Sequence, residues 1–279
     1  MSSGLSHAKS DAAGFTNIDA SKDRQYFVDY LDVARSRSGV KEGKNLSFSL
    51  LGLKPGDLVL DVGCGTGDDV IALAEIIGEK GRAIGIDNSE VMIDEARRRA
   101  SKSNASNVEF HKESIYQIHF PSEKFNGVIV DRVFMHLEEP GKALQEIIRV
   151  TKKGDGRIVV HDPDWDSFVI DSQYKDVTRK IVKTHSDLLK NGATGRKMYG
   201  MFKEAGLVNV TVSGGVAIFT DYNPSFQLLE LEKVSRVAVE NGLISDEERT
   251  RWINGLQRNG EQGRFFASFM TFRTAGTRP

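Results

Sequence analysis

Residues 59–67 read Val-Leu-Asp-Val-Gly-Cys-Gly-Thr-Gly, and an acid, Asp87, stands twenty residues beyond the last glycine. No other stretch of the chain constrains its fold as much. The apolar run Leu58, Val59, Leu60 has the character of a strand buried on both faces. Glycines at alternate positions 63, 65 and 67 let the backbone turn sharply and let a ligand lie against it. A helical pattern follows at once, with Val70, Ile71, Leu73, Ala74 and Ile77 on its apolar side. Strand, glycine turn, helix, strand and acid make a nucleoside-binding layout.

The residues after the turn narrow the nucleoside. A dinucleotide fingerprint asks for a third small residue at position 68. That residue is Asp68, and Asp69 follows it. A pyrophosphate seeks the bare positive end of a helix dipole, and two carboxylates there repel it. Either acid also suits a plain helix start. Asp61, just before the turn, adds a third negative charge. A cationic nucleoside without phosphate fits better, and a nicotinamide dehydrogenase is disfavoured.

The 279 residues suffice for one α/β domain with additions. A net charge of −1 leaves no basic excess for a nucleic-acid backbone. Arg97-Arg98-Arg99 falls on a predicted helix and reads as a solvated face. The single cysteine, Cys64, rules out an intrachain disulfide and a multi-cysteine metal site. Inside the glycine turn it reads as a packing residue. No run approaches eighteen apolar residues, so no membrane span is expected. The first fourteen residues are small and polar without a signal-peptide core. Residues 1–19 are expected to be a disordered start, and the expected location is the cytoplasm.

Residues 20–52 read as amphipathic helix, interrupted at Gly39. Strands are predicted at 58–62, 83–87, 107–111, 125–130 and 156–160, with helices at 68–77, 89–102 and 140–151 between them. Pro140 marks one helix start. This alternation implies a parallel sheet with helices on both faces. After 163 the rhythm breaks. Helices are predicted at 171–190, 195–205, 224–241 and 245–258. Strands are predicted at 208–220, with Gly214-Gly215 as a bend or bulge, and at 265–272. The reading is one domain over 20–279, with helical cap elements at 20–52, 164–192 and 222–258.

The string LVLDVGCGTGDD resembles motif I of the class I S-adenosylmethionine (SAM)-dependent methyltransferases. The resemblance covers residues 45–162 well and the remainder more loosely. It implies a doubly wound, mostly parallel seven-stranded sheet of the Rossmann-like methyltransferase type, SAM as cofactor and S-adenosylhomocysteine as product. It implies that the backbone at Gly63 and Gly65 flanks the amino-acid part of SAM, with Asp61 and Gly67 in the same cofactor site, and that Asp87 accepts from both ribose hydroxyls, with Asn88 beside it. Similar enzymes hold the adenine amino group with an Asp in the loop after strand three. Ser114 occupies that position here and Glu113 precedes it, so either can make the contact. Ile115 and Met92 would pack on the adenine. Asp131 would face the methionine end, and Tyr26 would close over the sulfonium by cation–π contact.

Methyl transfer from a sulfonium is an in-line displacement in which the protein supplies alignment and a dry pocket. A base is needed only where the nucleophile must lose a proton. His161, at the predicted end of strand five, is the first candidate and His136, after strand four, the second. Asp162 or Asp164 would bind a substrate amine or cap a turn. His7, His111, His119 and His185 lack supporting context. Tyr30, Trp165, Phe168, Tyr199, Phe202 and Phe219 are candidate walls of an acceptor pocket. They point to a small, largely apolar metabolite or natural product, methylated at O, N or C. An alkene acceptor would pass through a carbocation. Methylation of protein or RNA, and a SAM-binding protein without catalysis, are the alternatives. The N-terminal helix would cap its own subunit or reach across to a second copy.

Overall fold

The computed structural model of the chain describes residues 14–37 and 39–279. Its sheet has seven strands: β1 (Leu58–Val62), β2 (Arg82–Asp87), β3 (Val108–Lys112), β4 (Gly127–Asp131), β5 (Arg157–Ile170), β6 (Val208–Phe219) and β7 (Ala267–Thr277). Their order is β3-β2-β1-β4-β5-β7-β6. The first five pair in parallel, and β7 runs antiparallel to both its neighbours.

The helices are α1 (Gln25–Ser36), α2 (Val40–Leu51), α3 (Asp68–Ile77), α4 (Glu90–Ser103), α5 (Pro140–Val150), α6 (Lys175–Leu188), α7 (Thr194–Glu204), α8 (Tyr222–Leu228), α9 (Leu231–Glu240) and α10 (Asp246–Glu261). Strand alternation sends Val59 and Ala83 to one face, against α2, α3 and α4. Leu60, Val62, Ile84 and Ile86 go to the other, against α5 and α7. A third core lies under the C-terminal helices, where Trp165, Phe168, Ile181, Leu231, Trp252 and Leu256 pack together.

Four expectations need correction. Strand five does not stop at 160: β5 runs on to Ile170, with a register shift against β7 between Asp164 and Val169. The element expected to begin a cap at 164 is therefore first an extension of the sheet. Gly214 and Gly215 pair regularly with Phe272 and Thr271, and the irregularity in β6 falls between Val208 and Thr211. The helix expected over 224–241 is two, broken where Glu230 takes a left-handed φ of 47°. Finally, much of the start expected to be disordered lies outside the described residues, but residues 14–19 pack on the domain. The Phe15 ring meets Phe27 at 5.0 Å, and Ile18 is buried. Asp19 accepts from the Ser89 hydroxyl at 2.6 Å and the Glu90 amide at 3.0 Å, capping α4 from outside.

Candidate active site

The sheet order reverses between β1 and β4, and the carboxyl ends of those strands are where a doubly wound sheet binds ligands. There a cavity of about 790 Å³ opens, roofed by α1 and walled on its far side by β6, β7 and the α8–α9 junction.

The glycine turn forms one end. Gly63 and Gly65 line the cavity with left-handed φ of 76° and 51°. A Cβ on Gly63 would run into Val133, and one on Gly65 would press Leu31 of α1 at 3.2 Å. Gly67 does a different job. It faces away from the cavity, and a Cβ there would meet Ala96 at 2.6 Å and Phe110 at 2.7 Å. Its smallness lets α3 and α4 close on β3. Cys64 is buried, and burial pushes its thiol up, as suits a packing residue.

Asp87 holds the turn from below. It accepts from the Gly65 amide at 3.0 Å and from the Ser89 amide at 2.9 Å. Asp87 lines the cavity, and a carboxylate has acceptor capacity beyond these amides. Burial raises its carboxyl, against the pull of those amides. Asn88, Met92, Glu113, Ser114 and Ile115 line the same end. Asn88 donates to the Thr16 carbonyl at 3.2 Å. Ser114 Oγ accepts from the Tyr116 amide at 3.2 Å, and Glu113 accepts from the His119 amide at 3.1 Å. Both residues thus have local bonds and both remain on the wall.

The acids expected to repel a phosphate are not bare. Asp68 meets Arg35 at 2.8 Å and Arg99 at 3.0 Å, and it is not on the cavity wall. Asp69 pairs with Lys44 of α2. Their repulsion is therefore weaker than isolated charges would give. Asp61 is buried on the wall, and burial together with Asp69 raises its carboxyl well above the usual range.

The second half of the site is built on Asp131, the last residue of β4. Its Oδ2 lies 2.6 Å from Lys44 Nζ and 3.3 Å from His161 Nδ1, and its Oδ1 accepts from Arg132 Nε at 2.7 Å. Burial opposes a charge here. Lys44, Arg132 and His161 overcome it and hold the carboxyl well below the usual range. His161 sits mid-strand on β5, in register with Asp131. Its Nε2 is buried without a hydrogen-bond partner among the described residues. Burial lowers the imidazole below its ordinary value, with Asp131 partly offsetting the effect. His136 lies on the 3-10 turn Phe134–His136 and lines the cavity. Its Nδ1 also has no partner among the described residues, and burial and the charge of Arg132 push the imidazole down to about 4.

Of the aromatic residues expected around an acceptor, Tyr30, Trp165 and Phe219 are on the wall. The other three are elsewhere. Phe168 lies behind Trp165, ring centroids 5.8 Å apart, because the extended β5 turns it into the core under the helices. Phe202 is fully buried on the inner face of α7, on the opposite side of the sheet. Tyr199 is exposed on the outer face of that helix, beneath Lys203. Tyr26 packs edge-on against Phe27, ring centroids 5.4 Å apart, and is not on the wall. The Tyr30 hydroxyl donates to the Leu228 carbonyl at 3.2 Å, and burial pushes its phenol up to about 12. Asp162 caps the 3-10 turn through the Met135 amide at 3.3 Å, and Asp164 pairs with Arg196, so neither is on the wall.

Sequence reasoning missed Lys44, Arg132 and His185, all of which line the cavity. His185 stacks on Trp165 with centroids 4.2 Å apart. Lys44 and His185 did leave a signal. Each falls on the buried stripe of its helix, Lys44 with Ser47, Phe48 and Leu51, and His185 four residues after Ile181. Arg132 left none, because its importance comes from a backbone turn.

Comparison with known proteins bears on what this site handles. A family model described as a methyltransferase domain matches residues 53–206. A 37.1 kDa protein encoded in a transposon of Streptomyces fradiae is 33% identical over 242 residues, spanning 86% of this chain and 68% of that protein. Demethylmenaquinone methyltransferase of Bacillus cereus is 26% identical over 187 residues, 62% of this chain and 78% of that enzyme. The crystal structure of the YcgJ protein of Bacillus subtilis superposes with a TM-score of 0.61 at 17% identity, covering 86% of this chain and 99% of that one. The cavity suits a sulfonium nucleoside. Gly63 and Gly65 bring bare backbone to its wall, and the Asp61 and Asp87 carboxyls line it beside them. The matched domain carries the glycine turn, Asp87, Asp131 and His161 together, and the chain belongs to the class I SAM-dependent methyltransferases.

Proposed function

We propose that the chain methylates a small, largely apolar metabolite or natural product, with His161 as the base or orienting group. SAM, when bound, supplies an electrophilic methyl group and leaves as the neutral thioether. What the protein adds is position, dryness and a proton acceptor. The observation that carries this reading is the pairing of His161 with Asp131. Asp131 accepts from Nδ1 and fixes the tautomer, which leaves the Nε2 lone pair unshared. As the acceptor atom bonds the methyl carbon, its own proton passes to Nε2. Beyond the charged cluster around His161, Tyr30, Trp165, Phe219, Leu228 and Phe269 give the cavity an apolar wall. Such a wall selects by shape and leaves little for a polymer to grip. A relative named for demethylmenaquinone, a small molecule, points the same way.

The reading is tested with radiolabelled SAM, supplied to the chain with a small-molecule extract and, separately, with protein and RNA pools. Label appearing in organic-extractable small molecules, and lost in His161→Asn, supports it. Label in protein or RNA overturns it.

A further inference from the structure

We propose that Arg132 receives the acceptor, and that the acceptor is an amphipathic acid: an apolar body bearing a planar oxyanion, either a carboxylate or the conjugate base of an enol or phenol. The proposal rests on the methyl-transfer reading above and sharpens its substrate class. Arg132 follows the last residue of β4 and has a left-handed φ of 58°. Such a backbone is costly for a residue with a side chain. Its amide still donates to the His161 carbonyl at 2.7 Å, so the chain leaves the sheet within one residue. The side chain lies on the cavity wall, 35% exposed.

Its guanidinium is anchored from one side only. Nε donates to Asp131 Oδ1 at 2.7 Å. The two terminal nitrogens have no hydrogen-bond partner among the described residues. Most of the other cations of the wall are engaged through their charged ends. Lys44 pairs with Asp69 and Asp131, and Arg35 with Asp68. Arg37 donates to the Ile218 carbonyl at 2.7 Å and covers the Phe219 ring at 3.5 Å. Arg273 donates from Nε to the Gly43 carbonyl and the Ser47 hydroxyl; its terminal nitrogens also have no partner among the described residues, but the residue is buried where Arg132 is open, and Lys190 meets Glu138 at 3.0 Å. Asp131 does not quench Arg132, because it is shared with Lys44 and His161.

Two parallel N–H groups on a planar fork match a planar oxyanion, bidentate where it has two oxygens. The same carboxylate anchors the fork and His161. An acceptor held by its oxyanion at Arg132 is therefore held beside His161, which takes a proton only where the atom to be methylated is a second, protonated group, and its apolar body lies toward Tyr30, Trp165 and Phe219.

Decanoate and decanamide distinguish the charge from the chain. Both are titrated calorimetrically into the full-length wild type, Arg132→Asn and Arg132→Lys, with and without saturating S-adenosylhomocysteine, whose own affinity is measured first. Asn tolerates a left-handed backbone, which protects the fold. The wild type should bind decanoate about tenfold or more tighter than decanamide, the scale of one charge-assisted hydrogen bond. Arg132→Asn should erase that preference and leave S-adenosylhomocysteine binding within about threefold, and Arg132→Lys should restore part of the preference. Equal or undetectable binding of the two probes by the wild type overturns the proposal. So does a preference that survives Arg132→Asn, including the case where only S-adenosylhomocysteine binding falls and Arg132 serves the methyl donor instead. A wild type that binds no S-adenosylhomocysteine breaks the methyl-transfer reading, and the titrations without it still decide the role of Arg132.

Discussion

Asp131 and His161 are register partners on adjacent parallel strands, and their side chains meet at 3.3 Å beyond the point where the main-chain ladder delivers them. The pair is thus placed by the sheet, the most rigid part of the fold. Burial lowers the His161 pKa, so the imidazole is neutral at pH 7. The rate should fall on the acid side as His161 gains a proton, with a midpoint below the usual 6.5. His161→Asn should lower kcat by about 10²–10⁴ and remove that limb from the pH–rate profile. Asp131→Asn removes a carboxylate that raises the His161 pKa, and should move the limb to still lower pH.

Asp87 binds the Gly65 and Ser89 amides, and both bonds shape the cavity floor. Asp87→Ala should weaken S-adenosylhomocysteine by about 10–100-fold, the loss of a charged acceptor. Calorimetry reads this directly, and an unchanged affinity would remove Asp87 from the nucleoside site.

His185 is buried, and burial pushes its pKa down to about 4. Between that value and the unfolded 6.5 the unfolded chain binds a proton that the native one refuses. Its contribution is intact above about pH 6.5 and is lost as pH falls toward 4, by up to about 3 kcal/mol. Denaturant titrations of His185→Leu should show a shallower acid decline than wild type.

The three displaced aromatics separate packing from catalysis. Phe202→Ala should cost about 3–5 kcal/mol of stability through the core it shares with Leu207 and Met198. Tyr199→Ala, on the solvent face, should stay within about 0.5 kcal/mol. Thermal unfolding of the two variants side by side checks the contrast.

Gly67→Ala places a methyl group against Ala96 and Phe110 at a φ of 78°. The expected loss is about 2–4 kcal/mol, from a left-handed alanine and overpacking together. Gly67 should therefore score as a stability position in chemical denaturation.

The strands and the glycine turn were legible because a parallel strand buried on both faces is written as an unbroken apolar run, as in Leu58–Val62 and Gly127–Asp131. The extension of β5 was not. Asp162, Pro163 and Asp164 read as a loop, since Pro is rare within sheets. Here Pro163 pairs with Thr271, Asp162 finds the Met135 amide and Asp164 finds Arg196. Both acids find a partner remote in sequence, although Asp162 Oδ2 is buried with none among the described residues. The same holds for the Lys44–Asp131–Arg132 cluster, which joins α2 to the end of β4. The apolar wall was only half legible, because an aromatic on an amphipathic helix announces burial and not the cavity it faces.

Helix α1 touches both ends of the cavity at once. Leu31 closes over Gly65 of the nucleoside turn, while one residue earlier Tyr30 is tied to Leu228 on the acceptor side. A rigid helix that bears on both ends of the cavity cannot shift at one end without moving the other. With the methyl donor at one end and the acceptor at the other, their affinities should be linked through a few residues of one roof, and a substitution at Tyr30 or Leu31 should be felt in both Michaelis constants.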